Sequence, residues 1–162
     1  MGVSGQDLRQ VMRRWATGVT VVTSHGPKGR HGITVNSFTS LSLDPPLCLI
    51  CIKKDAVAHQ AIPDAGGFAV NLLAADQAEV SARFAGLRPD VTDPFVDLDM
   101  DRSPAGHPVF TGALGYLECT LEADIAGGDH TIFVGRVVHA KAMADEAPLL
   151  WYGGRYRDLA GD

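Results

Sequence analysis

His31 to Pro46 reads HGITVNSFTSLSLDPP, and the reading of this stretch decides the fold. It enters as a β-type run, places five side-chain hydroxyls (Thr34, Ser37, Thr39, Ser40, Ser42) and the amide of Asn36 within nine residues, and closes on Asp44-Pro45-Pro46. A surface loop is the ordinary fate of Ser- and Thr-rich composition. Here Val35, Phe38, Leu41 and Leu43 interleave with the hydroxyls and tether the segment to a core. Small polar groups on a held backbone suit a ligand lying along it.

Immediately upstream, VTVVTS (19–24) is a β-branched strand, and GPKG (26–29) turns it into the opening stretch as a hairpin. Farther back, Ser4 with Asp7 three residues on predicts a helix start. Leu8, Val11, Met12 and Trp15 fall on one face of that helix, so it is expected to pack on the body, with Trp15 in the core and Gly18 as its end. Downstream, LCLICI (47–52) has no polar interruption and predicts a central strand buried on both faces. A short helix over 56–62 ended by Pro63, a strand in GGFAVNLL, and a helix capped by Asp76 and Glu79 and running through Phe84 follow. Residues 86–108 carry four prolines and five aspartates and read as an irregular connection, long enough to suggest a lid or a partner-contacting loop. In 113–125, Tyr116, Glu118, Thr120, Glu122 and Asp124 alternate with Leu117, Cys119, Leu121, Ala123 and Ile125, predicting one wet and one buried face. Gly127-Gly128-Asp129 turns the chain into a second long strand from His130. Many strands with few helices indicate an antiparallel β-barrel or sandwich.

A chain of 162 residues with 46% hydrophobic content predicts one domain, 1–162. The net charge of -5, without a basic run, excludes a nucleic-acid partner. The N-terminus has no apolar leader, no run is long enough for a membrane span, and Gln6 breaks the myristoylation pattern, so a cytoplasmic protein is expected. Three cysteines, Cys48, Cys51 and Cys119, fit a reducing compartment. The first two have C-x-x-C spacing, but on a strand their side chains point to opposite faces about 10 Å apart, too far for a disulfide. His25, His31, His59, His107 and His139 form no ligand cluster, so no metal is implied. Rossmann, phosphate-loop and nucleophile-elbow motifs are missing, so a dinucleotide would be held in another way.

Taken together, ATGVTVVTS (16–24), GITVNSFTSLSLDPPLCLICI (32–52), FAVNLL (68–73), SARFAG (81–86), GDHTIFVGRV (128–137) and PLLWYGGRY (148–156) resemble the flavin reductase family. The likeness spans nearly the whole chain in family order. It implies a mainly β protein with peripheral helices, an FMN-binding split β-barrel of Greek-key antiparallel strands. It also implies an NAD(P)H:flavin oxidoreductase that takes hydride from NADH or NADPH, reduces FMN or FAD, and hands reduced flavin to a separate monooxygenase, usually as a homodimer. The same barrel could instead carry FMN without turnover, or accept a vitamin B6 phosphate; the second would need a larger basic clamp.

A flavin needs an apolar wall for its ring, small polar partners for its ribityl chain, and cations or N–H groups for phosphate. By the resemblance, Thr34, Val35, Asn36 and Ser37, then Ser40, Leu41 and Ser42, line the ring edge and ribityl chain, while Cys51 and Ile52 contribute mainly backbone. Lys53, Lys54 and Arg83, with Phe84 beside it, are the expected phosphate contacts. Asp55-Ala56-Val57-Ala58 departs from the Ser and Thr common in the family here, leaving Lys54 or His59 to compensate. Hydride transfer needs no protein nucleophile. By the resemblance, which places the G-D-H turn near the ring, His130 is the best candidate for touching the nicotinamide or donating to reduced flavin. Tyr152 and Arg155 are expected to reach the pyridine nucleotide, Arg155 through phosphate or ribose.

Overall fold

Ser4 turns the chain helical. In the computed structural model, which describes residues 2–159, the Asp7 N–H donates to Ser4 Oγ while the Ser4 N–H donates to the Asp7 carboxylate. This capping box opens α1 (Gly5–Met12) as expected. The expected packing does not follow. No residue of α1 is buried, and Leu8, Val11, Met12 and Trp15 are 57%, 68%, 52% and 66% exposed. Trp15 is therefore outside the core. The helix also stops at Met12, ahead of Gly18, because Thr17 and Gly18 are drawn out as a short strand, β1 (Thr17–Gly18), against the C-terminal segment.

Seven strands form the main sheet: β2 (Thr20–Gly26), β3 (Gly29–Val35), β4 (Phe38–Leu43), β5 (Pro46–Lys53), β6 (Gly67–Leu72), β9 (Gly115–Gly127) and β10 (His130–Ala142). Their order is β3-β2-β6-β9-β10-β5-β4, and all pairings are antiparallel. The hairpin predicted around residues 26–29 is β2–β3, with Gly26 opposite Gly29. The sheet curls on itself, so Val22, Val35, Ile50, Phe68 and Phe133, from strands far apart in that order, share one core. At Gly135 the packing leaves no room for a side chain: an added Cβ would lie 2.7 Å from both Cys119 Cβ and Phe68 Cζ. Across this gap the thiols of Cys48 and Cys119 meet, Sγ to Sγ, at 3.5 Å. Burial and that contact push the Cys119 thiol up, the contact being the larger cause. Cys51 points to the opposite side of β5, as the strand reading requires.

β5 departs from expectation on one face. Cys48, Ile50 and Ile52 are buried, whereas Leu47, Leu49 and Cys51 are only half-buried, because nothing in the described chain is laid over that side. α2 (Val57–Ala65) runs through Pro63 and ends at Gly66, whose φ of 69° suits a left-handed helix end. Pro63 lies in the last turn, where it forfeits one hydrogen bond without breaking the helix. The Asp76/Glu79 cap is replaced by a 3-10 turn, Ala75–Gln77, leading into α3 (Ala78–Phe84), and Gln77 Oε1 accepts the Ala74 N–H instead.

The 86–108 connection is anchored. Phe95 enters a second core with Val19, Val21, Phe84, Phe110 and Leu149. It also contains β7 (Met100–Arg102), paired with β8 (Pro108–Phe110). This cover explains the departure in β9: Tyr116 and Glu118, expected wet, are 8% and 3% exposed because the connection lies over them, and the Ala105 N–H donates to Glu118 Oε1. Ile125, expected buried, is 51% exposed beyond its reach. β11 (Leu150–Tyr152) and β12 (Arg155–Arg157) complete a small sheet with β1.

Candidate functional site

Asn36 is the hub of three adjoining cavities of about 220, 300 and 390 Å³. It follows β3 and is exposed where the chain crosses to β4. The largest of the three is a bay with Asn36, Ser37, Phe38 and Thr39 along one side, Leu49 and Cys51 as its floor, and Met12, Trp15 and Thr17 opposite. The floor exists because side chains alternate along β5, sending Leu49 and Cys51 to its uncovered face. Ser37 is clamped there: its hydroxyl donates to Cys51 O at 2.8 Å, and the Cys51 N–H donates to Ser37 O at 3.1 Å. Thr17 Oγ1 is buried at the wall with no protein partner, a polar atom in want of a ligand.

The cavity of about 220 Å³ joins β3 to α3 and the C-terminal hairpin through Thr34, Asn36, Ser81, Leu87, Trp151 and Tyr156. Thr34 Oγ1 donates to Ser81 O at 2.7 Å, and Tyr156 OH donates to Ser81 Oγ at 2.8 Å. Trp151 stands edge-on to Tyr156 at 5.2 Å. Met12, Trp15, Thr17, Ser81 and Tyr156 are site residues that sequence reasoning missed. Ser81 and Tyr156 lie inside quoted family stretches, which was the available signal.

The expected contacts divide into those at the site and those committed elsewhere. Thr34, Asn36, Ser37 and Cys51 line the cavities. Val35, Ile52 and Phe84 turn their side chains into the cores, leaving only backbone for a ligand, and the Val35 carbonyl already accepts from Thr20 Oγ1. Ser40, Leu41 and Ser42 lie on β4, the sheet edge, beside a bulge between Ser40 and Ser42. The expected phosphate cations are all engaged within the protein. Lys53 pairs with Asp55 at 2.6 Å, which raises its pKa, and Lys54 Nζ donates to Gly128 O at 2.6 Å. His59 Nε2 and Thr131 Oγ1 share a 2.8 Å hydrogen bond, and Arg83 donates to Glu79 at 3.3 Å and to Val96 O at 2.7 Å.

His130 opens β10 opposite Lys53, two residues from Ile132, the partner of Cys51. Antiparallel pairing thus puts its imidazole on the same sheet face as the bay floor. Its Nδ1 donates to Asp129 Oδ1 at 2.8 Å, which orients the ring and holds the Asp129 carboxyl below the usual range. Tyr152 and Arg155 face each other on the β11–β12 hairpin, and Tyr152 borders a separate cleft against α1. Among the described residues no helix is long and apolar enough to cross a membrane.

The family model for the flavin reductase like domain matches residues 12–160. A NADH-dependent FAD reductase of Streptomyces globisporus is 45% identical over 157 residues, covering 96% of this chain and 86% of the relative. The reductase subunit HsaB of a flavin-dependent monooxygenase from Rhodococcus jostii is 39% identical over 154 residues, covering 95% and 77%. Among solved structures, the Streptomyces globisporus NADH:FAD oxidoreductase SgcE6 with NAD and FAD fragments superposes with a TM-score of 0.90 at 42% identity, over 100% of this chain and 98% of the other.

Proposed function

This chain belongs to the flavin reductase like family, and we propose that it acts as one domain, residues 1–162, that reduces flavin with a nicotinamide nucleotide. The observation that carries the reading is the bay around Asn36, with its apolar floor, small polar rim and orphaned Thr17 hydroxyl. NADH is the donor and FMN or FAD the acceptor, in keeping with relatives named an NADH-dependent FAD reductase and an NADH FMN reductase. When bound, flavin supplies the N5 position that receives hydride from the nicotinamide C4.

The chain's own part is to bind, orient and exclude water. Leu49 and Cys51 give the ring a flat seat, Asn36 and Ser37 offer hydrogen bonds to its edge, and Met12 and Trp15 close the far side. His130, oriented by Asp129, presents Nε2 on that sheet face, able to hold a proton near the developing charge. Such a reductase supplies reduced flavin to a separate monooxygenase component, as the name of the Rhodococcus jostii relative describes. The uncovered apolar faces of α1 and β5 support a homodimer, and the three free thiols support a cytoplasmic home.

Oxidation of NADH and NADPH by the purified protein, with FMN, FAD or riboflavin varied, tests the reading. Saturable turnover that depends on added flavin is expected. Tight flavin binding without nicotinamide oxidation above the no-enzyme rate would replace the reductase with a flavin carrier.

A further inference from the structure

The end of α1 and the turn that follows it carry a site of their own. Gln10, Arg13 and Arg14 turn toward the β11–β12 hairpin and, with Tyr152 and Gly153, line a cleft of about 530 Å³. The hairpin turn comes in as bare backbone: the Gly153 N–H donates to Arg13 O at 3.0 Å, and a Cβ on Gly154 would stand 3.8 Å from Arg13 Nε. Both glycines have positive φ, 66° and 81°, so a side chain there would be strained. Arg30, Arg83, Arg88 and Arg136 pair with carboxylates, whereas among the described residues Arg13 and Arg14, like Arg9, Arg102, Arg155 and Arg157, have no ion pair; Arg13 and Arg14 alone of these share a cleft. Two neighbouring guanidiniums left unneutralised in a chain of net charge -5 are arranged for an anion.

Position says which anion. Met12 and Trp15 line the bay while Arg13 and Arg14 line the cleft, so the two lie on opposite sides of one turn, with consecutive Cα atoms about 3.8 Å apart. Thr17, at the bay wall, pairs with Trp151, the neighbour of Tyr152. Lys53, Lys54 and Arg83 meanwhile each hold a hydrogen-bond partner within the chain, whereas Arg13 and Arg14 have no ion pair among the described residues. We infer that Arg13 and Arg14 form the diphosphate seat of the dinucleotide that reaches the bay, a chemistry that NADH and FAD share. This rests on the bay being the flavin site.

The test uses Arg13→Gln/Arg14→Gln in the full chain, with two readouts. One is the affinity for FAD, FMN and riboflavin by flavin fluorescence. The other is KM for NADH with riboflavin as acceptor, where no flavin phosphate is present. If the seat holds NADH, KM rises on the order of tenfold with kcat little changed, and flavin affinities stay put. If it holds FAD, affinity for FAD falls on the order of tenfold while that for riboflavin does not change. Arg13→Lys/Arg14→Lys should recover part of either loss, because charge returns without the fork. Both side chains are exposed, so the thermal midpoint should hold; should it move, Arg14→Gln alone is read by the same two assays. Flavin affinities and KM all within twofold of wild type would overturn the seat. Failure of the flavin reading shows differently, as wild-type protein that neither binds flavin nor oxidises NADH.

Discussion

His130 is the residue on which the proposed chemistry can be tested most directly. Its ring is fixed by the 2.8 Å bond to Asp129, yet it remains partly exposed on the face that carries Leu49 and Cys51. A positioned donor that meets charge only as it develops accelerates turnover without tightening the ground state. His130→Ala is therefore expected to lower NADH oxidation at least about tenfold while flavin affinity stays within about twofold. Stopped-flow reduction of saturating flavin reads the first and fluorescence titration the second. Unchanged reduction would remove His130 from the chemistry and leave it a turn residue. Ser37 shows the complementary case, a hydroxyl in the site whose bond to Cys51 O commits it to shape.

At the scale of elements, legibility follows the range of the interactions. The β2–β3 hairpin and the β9 and β10 strands were readable because alternation and turn chemistry are local, in VTVVTS, GPKG and the run from Leu117 to Ile125. What lies over a face was not. Glu118 looked wet because its cover, Ala105 and its neighbours, lies more than a turn away along the chain, and α1 looked packed because amphipathicity states a need without naming the partner. For the same reason the small polar groups around Asn36 were visible in residues 34–39, whereas Ser81 and Tyr156 reach the neighbouring cavity of about 220 Å³ through tertiary packing. The covering element brings its own prediction. His107, at the entry to β8, is 4% exposed, and its Nδ1 accepts the His25 N–H at 3.1 Å, pinning the connection to β2. Burial lowers its pKa below the ordinary 6.5, so between the lowered value and 6.5 the unfolded chain holds the extra proton. Stability should thus fall as the pH drops below about 6.5, by at most about 1.4 kcal/mol per pH unit from this group. Urea unfolding across pH 7.5 to 5.5 measures the slope, and His107→Gln should flatten it; an equal slope in both proteins would locate the sensitivity elsewhere.

For the molecule as a whole, the exposed stripe on α1 is the largest unmet demand. Leu8, Val11, Met12 and Trp15 make an exposed apolar face, with Met12 and Trp15 at the bay wall and Leu8 and Val11 outside it, beside the half-open face of β5. A second copy covering both would also close the bay, so assembly and activity should be lost together. Leu8→Glu/Val11→Glu, at two positions that do not themselves line the bay, is expected to shift the protein to monomer in analytical ultracentrifugation and to weaken flavin binding. A dimer that survives the change would put the interface on another surface. The strand order has a different consequence, for how the chain is made. Among the described residues, the β9–β10 hairpin supplies the strand pairing that joins β3-β2-β6 on one side to β5-β4 on the other. During synthesis both halves leave the ribosome first, each with a raw edge, and the residues from Leu72 to Gly115 take about 2 to 9 s to add at ordinary elongation rates. For that interval the nascent chain carries two unpaired strand edges, β6 and β5, open to stray pairing, and its safe maturation depends on a hairpin that is added only after both.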